Sequence, residues 1–69
     1  MPALTLDTAR EYAETMIARW AGWKPTGKVE EYNDEHEGHR VHVWFVNEDG
    51  ITCDMVVWQG TPEDLYWDM

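Results

Sequence analysis

The chain has 69 residues and carries 14 Asp and Glu against 5 Lys and Arg, a formal net charge of -9 at pH 7. A chain this short buries only about 60% of the surface its unfolded form exposes, so residues 1–69 make one domain with a thin core and no deep cofactor cleft. At 43% hydrophobic and 13% aromatic it has too many core formers for an acidic disordered tail, and its charge disfavours direct binding to nucleic acid or anionic membrane surfaces, which rests on Lys and Arg.

Residues 6–21 are predicted to form a helix. Leu6, Ala9, Ala13, Met16, Ile17 and Trp20 recur at three- and four-residue steps and make one apolar stripe, with Asp7, Arg10, Glu11, Glu14 and Arg19 largely off it. Thr5 is the candidate N-cap, and Thr8 with Glu11 offers a competing capping box. Gly22 suits the left-handed position after a helix, and Pro25 forbids continuation. One buried face requires a layer to pack on.

That layer is predicted to be a three-stranded antiparallel meander. Residues 40–46 and 51–58 are rich in β-branched and aromatic side chains, and Asn47-Glu48-Asp49-Gly50 between them signals a turn. With Gly50 in the left-handed bulge position of a three-residue loop, Asn47 faces Ile51, Phe45 pairs with Cys53, Val43 with Met55 and Val41 with Val57, all on one face. A weaker first strand, about 28–33, carries Val29 and Tyr32. Thr61-Pro62-Glu63-Asp64-Leu65 reads as a helix start that leads into a short C-terminal turn. The expected fold is therefore α+β: an N-terminal helix on a three-stranded sheet, followed by a short helical turn.

The same register sets Arg40, His42, Trp44 and Val46 opposite Trp58, Val56, Asp54 and Thr52 on the second face. A half-solvated sheet would be polar there, yet two tryptophans sit on it. Either Leu65, Tyr66 and Trp67 fold back over this face with Trp20 and Trp23 closing the other side, or it is a partner or homodimer surface anchored by Trp44 and Trp58.

Catalytic and metal chemistry find little footing. His36, His39 and His42 lie three apart, but in a turn followed by a strand, positions 39 and 42 point to opposite faces. The expectation is no metal, with His42 paired to an acid such as Glu30. Cys53, the only cysteine, falls on the core face away from His42, so no base reaches it and no intramolecular disulfide forms. No phosphate loop, nucleophile elbow or Cys-x-x-Cys pair is present. The expectation is no enzyme activity and no cofactor. With neither a basic n-region nor a long apolar run at the start, a bacterial cytoplasm is the expected location.

The acids are the remaining constellation. Residues 1–28 carry a net +1 and residues 29–69 a net -10. Glu30, Glu31, Asp34, Glu35 and Glu37 crowd the first hairpin, Glu48 and Asp49 the second turn, and Asp54 a strand, with Glu63, Asp64 and Asp68 behind them. Such a field points to a basic partner.

The order helix, three strands, short helix resembles the topology of double-stranded-RNA-binding domains. Thr61-Pro62-Glu63-Asp64-Leu65 stands where those domains carry a lysine-rich helix, so their activity does not transfer. In size, lone cysteine, charge and lack of enzymatic motifs the chain resembles acidic anti-CRISPR proteins of phages and mobile elements, several of which act as DNA mimics. That resemblance implies an inhibitor that blocks the basic, nucleic-acid-binding surface of a bacterial defence complex, with a CRISPR effector subunit as candidate partner. Glu30, Glu31, Asp34, Glu35, Glu37, Glu48, Asp49 and Asp54 would supply the field, and Trp44 and Trp58 the apolar anchors. The alternative is a small interaction or homodimerisation module that uses the Trp44/Trp58 face. The chain itself is expected to be a monomer or a weak homodimer.

Overall fold

A computed structural model describes residues 4–36, 38–60 and 65–68. The chain opens with α1, Leu6–Ile17, whose start is fixed by a reciprocal cap: the Thr8 amide donates to the Thr5 hydroxyl at 3.1 Å, and the Thr5 amide donates to the Thr8 hydroxyl at 2.8 Å. Thr8 is thus a partner in the Thr5 cap and does not begin a helix of its own. The helix is shorter than predicted. After Ile17 the amides of Arg19 and Trp20 bond three residues back, to Met16 and Ile17, which tightens the chain into turns that reach Gly22 at φ 90°.

The apolar stripe is also narrower than its periodicity suggests. Ala9, Ala13 and Ile17 are buried, whereas Leu6 is 45% and Trp20 44% exposed. Leu4, ahead of the cap, is buried in place of Leu6. The small side chains of Ala9 and Ala13 let the helix lie close against the sheet.

The sheet has four antiparallel strands in the order β1-β2-β3-β4, namely Lys24–Asp34, Gly38–Val46, Thr52–Gln59 and Leu65–Asp68. The fold is therefore α+β, with one strand more than expected. Between β2 and β3 the observed pairs Val41 with Val57, Val43 with Met55 and Phe45 with Cys53 are those predicted. Asn47 holds the turn: its side-chain oxygen accepts from the amides of Asp49 and Ile51, and Gly50 takes φ 82°, which only glycine adopts without strain.

β1 is longer than the predicted 28–33. It begins at Lys24 and is interrupted by a bulge between Pro25 and Val29. Gly27 at φ 90° turns the bulge, the Thr26 hydroxyl donates to the Trp44 carbonyl at 3.1 Å, and the Lys28 amide donates to the Thr26 hydroxyl. Such an irregular edge discourages pairing with another chain.

The C-terminal expectation needs correction. Residues 61–64, where the helix start was placed, lie outside the described residues, and Leu65–Asp68 is a strand paired to β3, with Val57 opposite Trp67 and Trp58 opposite Tyr66. The Tyr12 hydroxyl donates to the Leu65 carbonyl at 3.1 Å and ties this strand to α1. An end strand in place of a helix also removes the likeness to the double-stranded-RNA-binding topology.

The core lies between α1 and one face of the sheet. Val41, Phe45, Met55 and Val57 are wholly buried there beside Val43, with Trp23, Val29, Leu65 and Trp67 packed around them. Cys53 lies on this face opposite Phe45 and is half-buried. Among the described residues no helix is long and apolar enough to cross a membrane.

Candidate functional site

Strand alternation assigns every residue of the sheet to a face, and the face away from α1 is the unusual one. Among the described residues no helix or strand covers it. Leu65 and Trp67 share the register of Gln59 and Val57 and so pack on the core side, where Trp20 meets Trp67 edge-on at 5.4 Å. Trp23 packs on the core as well. The expected fold-back of Leu65, Tyr66 and Trp67 over the second face is therefore not observed: β4 extends the sheet sideways, and of the three only Tyr66 lies on that face, while Trp20 and Trp23 lie on the core side.

Aromatic rings occupy the middle and one end of this open face. Trp58 stacks with Tyr66, centroids 6.1 Å apart, and Tyr32 stands edge-on to His42 at 4.5 Å. Trp44 is capped by Lys28, whose ammonium lies 4.6 Å from the ring centroid. Arg40, Val56, Trp58 and Asp68 line a shallow depression of about 310 Å³.

The polar groups interleave with the rings. His42 Nδ1 lies 2.6 Å from Asp54 Oδ2, diagonally across the β2–β3 pair, so Asp54 and not Glu30 is the partner of His42. Glu30 instead accepts from the Tyr32 hydroxyl and pairs with Lys28 at 3.0 Å. The Tyr32 hydrogen bond, followed by that from Lys28, holds the Glu30 carboxyl below its ordinary value, and the same carboxylate raises the Tyr32 phenol. His42 Nε2 and the Trp44 indole nitrogen are buried and have no hydrogen-bond partner among the described residues. A polar atom in that state costs free energy until something satisfies it.

The predicted acidic residues do not form one patch. Glu30 and Asp54 lie on the open face. Glu31 is on the helix side of the sheet, where its carboxylate meets His39 Nε2 at 2.6 Å. Asp34 and Glu35 sit at the β1–β2 hairpin, with Asp34 accepting from the His36 amide. Glu48 and Asp49 sit at the β2–β3 turn, the opposite end of the sheet. Nine residues of β2 separate these ends, about 26 Å at ~3.3 Å per residue. Glu37 lies outside the described residues, as do Glu63 and Asp64.

The expected charge asymmetry also shifts once the chain is folded. Lys24 and Lys28 belong to β1, so the sheet segment 24–69 has eleven acids against three cations, a net of -8, and segment 1–23 a net of -1. Those three cations, Lys24, Lys28 and Arg40, all fall on the open face, where they stand among Glu30, Asp54 and Asp68, with Asp34 at the hairpin end. The open face is close to balanced in charge, and the acidic excess belongs to the two ends and the helix side.

Sequence reasoning identified Trp44, Trp58, Asp54 and the alternation that unites them. It set Tyr66 over this face by a fold-back and not as part of a fourth strand, and it missed Tyr32, Lys28 and Asp68, whose place here depends on the β1 strand with its bulge and on β4. Among the described residues no group of three or more His, Cys, Asp or Glu side chains is placed to hold a metal ion. The chain matches no known protein family model, no curated protein and no solved structure.

Proposed function

We propose that this protein is a non-enzymatic interaction module that docks on another protein through the open face of its sheet. The observation that carries this reading is that face: four aromatic side chains, Tyr32, Trp44, Trp58 and Tyr66, lie on a surface that no described element covers. Tryptophan and tyrosine supply large contact area at little conformational cost, and they are the residues most enriched where binding energy concentrates. A partner that covers these rings would gain the apolar burial that folding leaves incomplete.

A second reading rests on a separate observation, the net -8 of the sheet segment and its exposed acids at the two ends. In that reading the hairpin acids act as the anti-CRISPR resemblance implies: they engage the Arg and Lys groove of a nucleic-acid enzyme and block it. The two readings use different surfaces. Charge at the ends governs encounter and orientation, whereas buried aromatics govern how long a complex lasts.

One capture experiment separates them. Wild type, Trp44→Arg and the double variant Glu48→Gln with Asp49→Asn are immobilised and exposed to a bacterial lysate that carries CRISPR effectors. Loss of a captured protein in Trp44→Arg alone supports docking through the face. Loss in the acid variant alone, with weakening by salt and competition by DNA, supports the mimic.

A further inference from the structure

We infer that the occupant of the open face is a second copy of this chain, in a two-fold, face-to-face dimer. This inference rests on the docking reading above and names its partner. The argument begins with charge. Two molecules of net charge -9 repel each other over any surface that carries the excess. That excludes close self-approach through the hairpin end with Asp34 and Glu35, or through the Glu48–Asp49 end. Among the described residues the open face joins an aromatic surface to a near-balanced charge, because three of the five Lys and Arg residues gather there among its acids. A face built for a basic partner would not concentrate the molecule's cations; a face built for an equally acidic copy has to be neutral.

The charges on this face are also largely engaged within the molecule: Lys28 pairs with Glu30 and Asp54 with His42, so a copy meets no large field of either sign. A two-fold axis that runs along the strands lays β2 of one copy over β3 of the other, and the Trp44 and Trp58 strands meet in the centre. The size is suitable: the broad side of the molecule spans 35 × 22 Å, on the order of the ~800 Å² that each partner gives to a standard interface. The third dimension, 17 Å, is accounted for by one helix layer on one sheet.

Salt separates this dimer from every acid-driven complex. Raising ionic strength from about 0.01 M to about 0.15 M shortens the screening length from ~30 to ~8 Å. That suppresses the long-range repulsion of two acidic copies and leaves the aromatic contact, so the dimer strengthens with salt. Binding of hairpin acids to a basic groove weakens.

The test is sedimentation of the full chain over concentration at both ionic strengths. The mass should rise from 8.1 kDa toward twice that value, at lower protein concentration in the higher salt. Lys28→Glu, at the partly exposed rim, should weaken the dimer at least about tenfold, and Trp58→Ala should do the same with far-ultraviolet circular dichroism unchanged. Glu48→Gln, off the face, should leave it intact or stronger. A monomer under all conditions, or a dimer indifferent to both Lys28→Glu and Trp58→Ala, overturns the inference. In either of those cases, loss of lysate capture by Trp44→Arg would still uphold the broader docking reading, and its persistence would bring that reading down as well.

Discussion

The two faces of this sheet come from the same strands and alternate residue by residue, yet they are held by different physics. On the helix side Val41, Val43, Phe45, Met55 and Val57 are almost wholly out of solvent, and the side chains need nothing but shape and apolar contact. On the other side rings are interleaved with charges: Lys28 over Trp44, Asp54 on His42, Glu30 on Tyr32, while Trp58 and Tyr66 stack on each other. The first face is finished when the chain folds. The second keeps its rings only partly buried, so their remaining apolar surface is available to association. Five tryptophans divide along the same line: Trp20, Trp23 and Trp67 serve the core side, Trp44 and Trp58 the open one.

The sharpest way to break this comparison is to truncate one large ring on each face. Phe45→Ala should cost about 3–5 kcal/mol through lost burial and the cavity left behind. A domain this size holds roughly 3–10 kcal/mol in total, so the variant should be largely unfolded or close to it. Trp58→Ala removes a larger ring but should cost less than half as much, because its site is open and leaves no cavity. Urea denaturation of both variants checks this; equal losses would mean that the open face belongs to the core.

A smaller effect tests whether β4 is held from the core side. Tyr12→Phe deletes the hydrogen bond to the Leu65 carbonyl and should lower stability by about 0.5–1.5 kcal/mol. Faster amide exchange should follow in β4 and its β3 partners, with β1 unaffected. The Lys28 cap on Trp44 is weaker still: Lys28→Met should lose about 0.5–1 kcal/mol of cation–π attraction, measured by the same denaturation, and leave the core untouched.

How much of this was legible in the sequence follows from how local each signal is. The β2–β3 register could be read in full, since Asn47 and Gly50 fix the loop and a slip of one residue would expose Phe45 and Val43. The start of α1 was legible for the same reason, because Thr5 and Thr8 are neighbours. Its end was not: Trp20 falls on the helical period but lies beyond the point where the turns tighten, and periodicity does not report that. β4 escaped because Thr61 and Pro62 carry helix-start chemistry, while four residues, Leu65–Asp68, are too few to show alternation. Its position depends on pairing with β3 and on Tyr12, 53 residues upstream of Leu65. The charge misled because a division of the chain is not a division of the surface. Lys24 and Lys28 were counted with the helix, yet the bulge at Gly27 delivers Lys28 to Trp44.

The smallest effect concerns the Glu30–Tyr32 pair, which belongs wholly to the open face. Hydrogen bonding to Tyr32 holds the Glu30 carboxyl below its ordinary 4.5 and raises the Tyr32 phenol above its ordinary 10.0. A lowered carboxyl contributes stability that is fully present above pH 4.5 and is lost as pH falls through the folded-state value. A raised phenol contributes stability that is fully present below pH 10.0 and is lost as pH rises through its own. The difference in stability between wild type and Tyr32→Phe should therefore be constant across the neutral range and shrink at both extremes. In an absorbance titration one of the three tyrosines should ionise late, and Glu30→Gln should remove that lag. If instead Tyr32→Phe alters stability equally at all pH values, the phenol acts only as a ring on the open face and its carboxylate contact contributes nothing.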